Sequence, residues 1–203
     1  MKKPLLLVLS VTSAITITTR SFGQGELLFA NTRASQILLI NVYTGTSTRM
    51  FGSAGTFDIG LYMGSAGSTS ISAMQLVATA ASPNATTSTI FNAGVFSYTG
   101  GTVNSPGNVA NTLNFAAGTQ YAFFVAGWAA YAGSYDNAIA TQAPNGISTL
   151  GFITPVSSPT PVPSVFGTSA GQIDGFVIFV PEPSTLALGS VGAAVILLFR
   201  RRK

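Results

Sequence analysis

Apolar and polar positions alternate strictly over residues 57–63: Phe57, Ile59, Leu61 and Met63 are separated by Asp58, Gly60 and Tyr62. A period of two predicts a strand with one buried face. Gln120–Trp128 (QYAFFVAGW) is apolar at nearly every position and predicts a central strand covered on both faces. Shorter apolar runs predict strands at Glu26–Asn31, Gln36–Tyr43, Met74–Ala80, Val95–Thr99, Thr149–Ile153 and Gly175–Val180. Gly, Asn, Ser and Pro clusters separate them: Gly52-Ser-Ala-Gly55, Gly64-Ser-Ala-Gly67, Thr99-Gly-Gly-Thr102 and Ser105-Pro-Gly-Asn108. No segment between residues 24 and 180 shows a helical period. Short strands at fairly even spacing predict an all-β fold, a single β-sandwich or jelly-roll-like domain over 24–180. Its size suffices for one core, with roughly 70% of the unfolded surface buried. Pro155–Pro163 is a stiff, extended excursion, either a domain-ending linker or a long loop before a last strand. The apolar character of Gly175–Val180 favours the loop.

The pattern changes at both ends. Lys2 and Lys3 precede an apolar stretch from Leu5 to about Ile17, and Ser21-Phe22-Gly23 offers small residues before Gln24. This is the layout of a secretory signal peptide over 1–23. At the other end, Pro181-Glu182-Pro183-Ser184-Thr185 is followed by the apolar run Leu186–Phe199 and then by Arg200, Arg201, Arg202 and Lys203. Fourteen helical residues rise about 21 Å. A bilayer's hydrocarbon core is about 30 Å thick, so a transmembrane helix at about 185–199 is short for a permanent anchor. The basic tetrad predicts its orientation, with the last four residues cytoplasmic and the body outside.

These C-terminal residues resemble the PEP-CTERM sorting domain, which joins a Pro-Glu-Pro signature to a short apolar segment and a terminal arginine cluster. The resemblance covers about residues 179–203, with all three parts in order. It implies recognition by an exosortase, a membrane-embedded processing enzyme thought to cut near the motif. It implies sorting through Pro181, Glu182 and Pro183, with Arg200–Lys203 as the cytoplasmic basic stop. It also implies a Gram-negative, exopolysaccharide-producing host, and a protein held in the inner membrane before it reaches the envelope, surface or matrix. A second resemblance rests on Ala126-Gly-Trp128, Gly133-Ser-Tyr-Asp136 and Asn145-Gly-Ile-Ser148. These are similar to a recurring exported β-sandwich body that often precedes such tails, and they bear on the fold alone.

Charge sharpens the division between body and ends. The chain has nine basic and five acidic residues, a net charge of +4. Residues 24–180 hold only Arg33 and Arg49 against Glu26, Asp58, Asp136 and Asp174, or 2 − 4 = −2. Such a body cannot neutralise a run of phosphates, so nucleic acid is excluded as its partner. With no His and no Cys, imidazole and thiolate metal sites and Ser-His or Cys-His catalysis are excluded as well. Carboxylate pairs remain the open route to catalysis. The four acids of the body are widely separated in sequence and read as turn and surface groups. No cofactor or metal is expected, and the reading is non-enzymatic. The alternative is a carbohydrate-binding module for extracellular polysaccharide, with Trp128, Tyr131 and Tyr135 as a stacking platform. Trp128 itself reads first as a core residue.

Overall fold

The structure, a computed structural model, describes residues 25–42, 44–85, 93–104, 115–157 and 160–181. Within them ten strands form: β1 (Glu26–Ala30), β2 (Leu38–Asn41), β3 (Ser47–Arg49), β4 (Phe57–Ser65), β5 (Gln75–Ala81), β6 (Ser97–Asn104), β7 (Tyr121–Ala129), β8 (Asn145–Ile147), β9 (Gly151–Ile153) and β10 (Val177–Val180). Eight of these make one sheet in the order β3-β2-β10-β8-β7-β4-β5, with β9 sharing the β7 edge that β8 uses. The other two, β1 and β6, pair as a smaller ribbon. The described body is therefore largely β, as the alternation predicts.

One core joins the two sheets. Phe57, Ile59, Leu61 and Met63 of β4 and Phe123 and Val125 of β7 pack in one cluster with Leu27 and Phe29 of β1, Val103 of β6, Phe96 and Phe166. Phe96 stands edge-on to both Phe29 and Phe166, at 5.0 and 5.5 Å between ring centroids. Burying each such side chain contributes about 1.5–3 kcal/mol. The second layer is completed by backbone bridges from Val156 to Glu26 and from Ser164 to Leu28. The proline-rich excursion thus runs along the ribbon, and the chain returns from it into β10. That strand lies inside the large sheet, parallel to β2 on one side and antiparallel to β8 on the other.

Several features depart from the sequence expectation. Thr99-Gly-Gly-Thr102 lies within β6 and not in a turn. The pairing with β1 shifts there, from Leu28↔Thr102 to Ala30↔Ser97, so the glycines occupy a bulge. Gly64 and Ser65 likewise extend β4, and the turn begins only at Ala66. The edge strand β3 carries three exposed residues, Ser-Thr-Arg, and has no apolar face to reveal it. It is placed by its turn: Asn41 Oδ1 accepts from Thr44 N at 3.1 Å, and Gly45 adopts φ 66°. Finally, a six-residue helix, α1 (Tyr135–Ala140), stands where no helix was expected. Ser134 caps it by accepting from Asn137 N at 3.2 Å.

Helix α1 covers the second face of β7. Ala126 and Trp128 project away from the main core into a separate cluster with Ala132, Tyr135, Ala138 and Ala143. That covering is why β7 is apolar on both faces.

Candidate functional site

The candidate site is the junction at which the chain leaves the sheet. Register along β10 and β2 is continuous to the end, Val177↔Leu38 through Val180↔Asn41. Pro181 follows at once, exposed, and is the last described residue. No loop separates the folded body from the Pro-Glu-Pro segment. The strand is strongly held: Ile178 is fully buried in the main core, and Leu38 N donates to Phe176 O at 3.0 Å just ahead of it. Beside the exit, Leu39, Asn41, Thr46, Thr48, Phe51 and Val180 line a shallow cleft of about 190 Å³. Phe179 stands on the opposite face of β10, 52% exposed.

Glu182, Pro183, Arg200, Arg201, Arg202 and Lys203 lie outside the described residues, as do the signal-peptide segment 1–23 and the expected helix at about 185–199. Among the described residues no helix is long and apolar enough to cross a membrane. Trp128 and Tyr135 are 2% and 6% exposed and pack on each other at 6.4 Å between ring centroids; Tyr131 alone of the proposed platform is open, at 80%. Packing of α1, with Tyr135 at its start, over Trp128 thus takes two of the three rings out of reach of a sugar. Burial first, and then the neighbouring Asp136 and Tyr135, push the Tyr62 phenol up to about 12. Burial and Asp136 raise Tyr135 too.

The carboxylates are dispersed. Glu26 lies on β1 in the ribbon, Asp58 on β4, Asp136 on α1, and Asp174 ahead of β10. Burial raises the pKa of Asp58 above its ordinary 3.8. No cluster of three or more Asp or Glu able to hold a metal ion occurs among the described residues.

Two buried polar groups were not apparent from sequence. Asn31 donates from Nδ2 to Ser35 O and Gly94 O, both at 2.8 Å, and accepts from Phe96 N at 2.7 Å. Ser148 accepts from Val125 N at 2.9 Å, replacing a strand carbonyl where β8 gives way to β9 along β7. Both are structural: each satisfies backbone groups that would otherwise be buried and unpaired. In a chain with 46 Ser and Thr residues, nothing local marks Ser148 out.

Comparison with known families matches the PEP-CTERM protein-sorting motif over residues 179–203. The chain carries a PEP-CTERM sorting motif. The match begins at Phe179, inside β10, so the PEP-CTERM segment and the last sheet strand overlap. A PEP-CTERM motif implies export, membrane-associated sorting and processing by exosortase, a membrane enzyme. No curated protein matches the chain. No solved structure matches it either.

Proposed function

We propose that this is an exported, non-enzymatic protein of the cell surface or extracellular matrix, whose β body is the delivered cargo and whose C-terminal segment is its sorting signal. Residues 1–23 direct export. Leu186–Phe199 holds the chain in the inner membrane, with Arg200–Lys203 on the cytoplasmic side. The exosortase then acts near Pro181, Glu182 and Pro183 and releases the body to the envelope or matrix of an exopolysaccharide-producing cell.

The observation that supports this reading best is the spacer-free junction. A strand paired on both sides hands the chain directly to Pro181, and the PEP-CTERM match begins within that strand, so no spacer separates cargo from signal. A short apolar run also suits a segment that is held only until it is cut. The non-enzymatic part rests on composition, since a chain without His or Cys lacks the usual nucleophile-activating groups.

Intact mass of the mature protein from its native cells tests the proposal. The expected main species begins near Gln24, retains Val180 and lacks Arg200–Lys203. A main species that still carries those four residues would refute processing.

A further inference from the structure

One row of paired residues crosses the large sheet: Ala81, Asp58, Trp128, Asn145, Phe179, Ile40 and Ser47 are successive partners. Beyond this row, at one end of the sheet, lie the β2–β3 turn, the β7–α1–β8 connection and the outgoing tail. Seven large hydrophobic residues are exposed among the described residues: Val42, Phe51, Tyr131, Ile139, Ile147, Phe152 and Phe179. Four of them gather at this end. Val42 is in the turn, Tyr131 and Ile139 are in the connection, and Phe179 is on the row. Phe152, paired with Ala122, belongs to the opposite end.

The same end is tethered. Only five residues separate Val180 from Leu186, and two are prolines. Six extended steps span at most about 20–22 Å. The nine-residue strands β4 and β7 are themselves about 30 Å long. The tether is therefore shorter than the body is long, so the end of the sheet that carries the tail, and not the opposite end, is held within about 20–22 Å of a bilayer that holds Leu186–Phe199. Neither described arginine lies beyond the row: Arg49 pairs with Leu38 on the far side, and Arg33 precedes β2. Asp136 is in α1 and Asp58 is on the row itself. Attraction to lipid at this end is apolar and not electrostatic, and Tyr, Phe and Ile side chains are suited to the interfacial zone.

We propose that this end of the sheet is a membrane-contact face: while the tail is inserted, Val42, Tyr131, Ile139 and Phe179 seat in the headgroup region of the bilayer. The proposal rests on the tail being membrane-inserted. The contact keeps Pro181 at the bilayer surface, within reach of a membrane-embedded processing enzyme.

The chain has no cysteine, so single Cys variants of the exported, tail-bearing chain can each carry one fluorophore. Val42→Cys, Tyr131→Cys and Ile139→Cys report on the face, exposed Thr69→Cys on the opposite end, and Ala193→Cys on the tail. In phosphatidylcholine vesicles with shallow spin-labelled lipid, interfacial groups seat about 5–10 Å deep. The three face labels should lose fluorescence, the loss should persist in high salt, and the Thr69 label should be unaffected. Quenching at Ala193 with none at the face labels would overturn the contact while leaving the anchor intact, and would point to a protein partner for the face. No quenching at Ala193 would remove the anchor and the contact with it. Equal quenching at Thr69 and the face labels would overturn the assigned orientation.

Discussion

The indole of Trp128 lies over Gly60 on the neighbouring strand, so closely that a Cβ on Gly60 would fall 2.8 Å from Cη2 and Cζ3 of the ring. The same Cβ would meet Leu76 Cδ1 at 2.8 Å. The missing side chain on β4 is what lets Trp128 lie between the sheet and α1. Gly60→Ala should therefore destabilise despite the better strand propensity of alanine. Overpacking a filled site costs about 1–3 kcal/mol. In a domain of this size that corresponds to a melting temperature lower by roughly 2–4 °C per kcal/mol. Thermal unfolding followed by Trp128 fluorescence checks it, and an unchanged melting temperature would show that the ring moves freely.

Asn31→Ala should be costlier than its single side chain suggests. It strands Phe96 N–H and removes a donor from two carbonyls in the buried joint between β1 and β2. An unsatisfied buried group costs about 1–3 kcal/mol. Urea unfolding should show a lower midpoint at unchanged slope. Asn31→Asp should not rescue, because an ionised carboxylate faces the same two carbonyls without a donor.

Much of the large sheet was legible because its strands bury apolar residues at the periods that strands impose: β4 by alternation, β7 by continuous apolarity. What was not legible lacks that cause. β3 is three exposed polar residues held by a turn, and β6 passes through two glycines because a bulge accommodates them. The helix α1 left traces in Ser134 and Asp136, a cap and a first-turn acid, but six residues are too few to display a period. The burial of Tyr135 depends on that helix folding back over Trp128, a tertiary event that no local pattern encodes. The sorting motif was fully legible, since its logic is linear: a signature, an apolar run and a basic stop. Its attachment to a strand with no spacer was not, because the position of β10 between β2 and β8 is a property of the sheet.

Ser148→Ala should remove the acceptor for Val125 N while leaving the volume of the site nearly unchanged. The loss is again about 1–3 kcal/mol for a buried donor. Amide exchange should quicken at Val125 more than at Phe123, whose residue pairs with Gly151 in β9. Uniform quickening across β7 would instead mean that β8 and β9 had both detached.

Asp58 gives the stability a pH dependence of known sign. Burial raises its pKa in the folded state above 3.8, so the folded chain holds this proton more tightly than the unfolded one. The contribution favours folding at low pH and is lost as pH rises from about 4 through the raised value. Asp58→Asn should raise the melting temperature at pH 7 and leave it nearly unchanged at pH 3. Paired melting curves from pH 3 to pH 8 give the difference directly. A difference that shrinks toward neutral pH would show that the carboxylate is stabilised by the fold and not penalised.

The junction itself predicts where processing can fall. A chain ending at Pro181 keeps β10 whole, whereas one ending at Asp174 loses Phe176 and Ile178 from the core and leaves the β2–β3 hairpin without its inner neighbour. Two buried side chains contribute about 3–6 kcal/mol. That is comparable with the entire stability of many domains, about 5–15 kcal/mol. Residues 24–181 should unfold cooperatively with a β-type circular dichroism spectrum, and 24–174 should be unfolded or aggregated. A cut upstream of Ile178 would thus destroy the cargo that it releases, and the mature C-terminus is expected at or beyond Ile178. A cooperative, β-rich 24–174 would show that β10 is dispensable and remove this constraint on the processing enzyme.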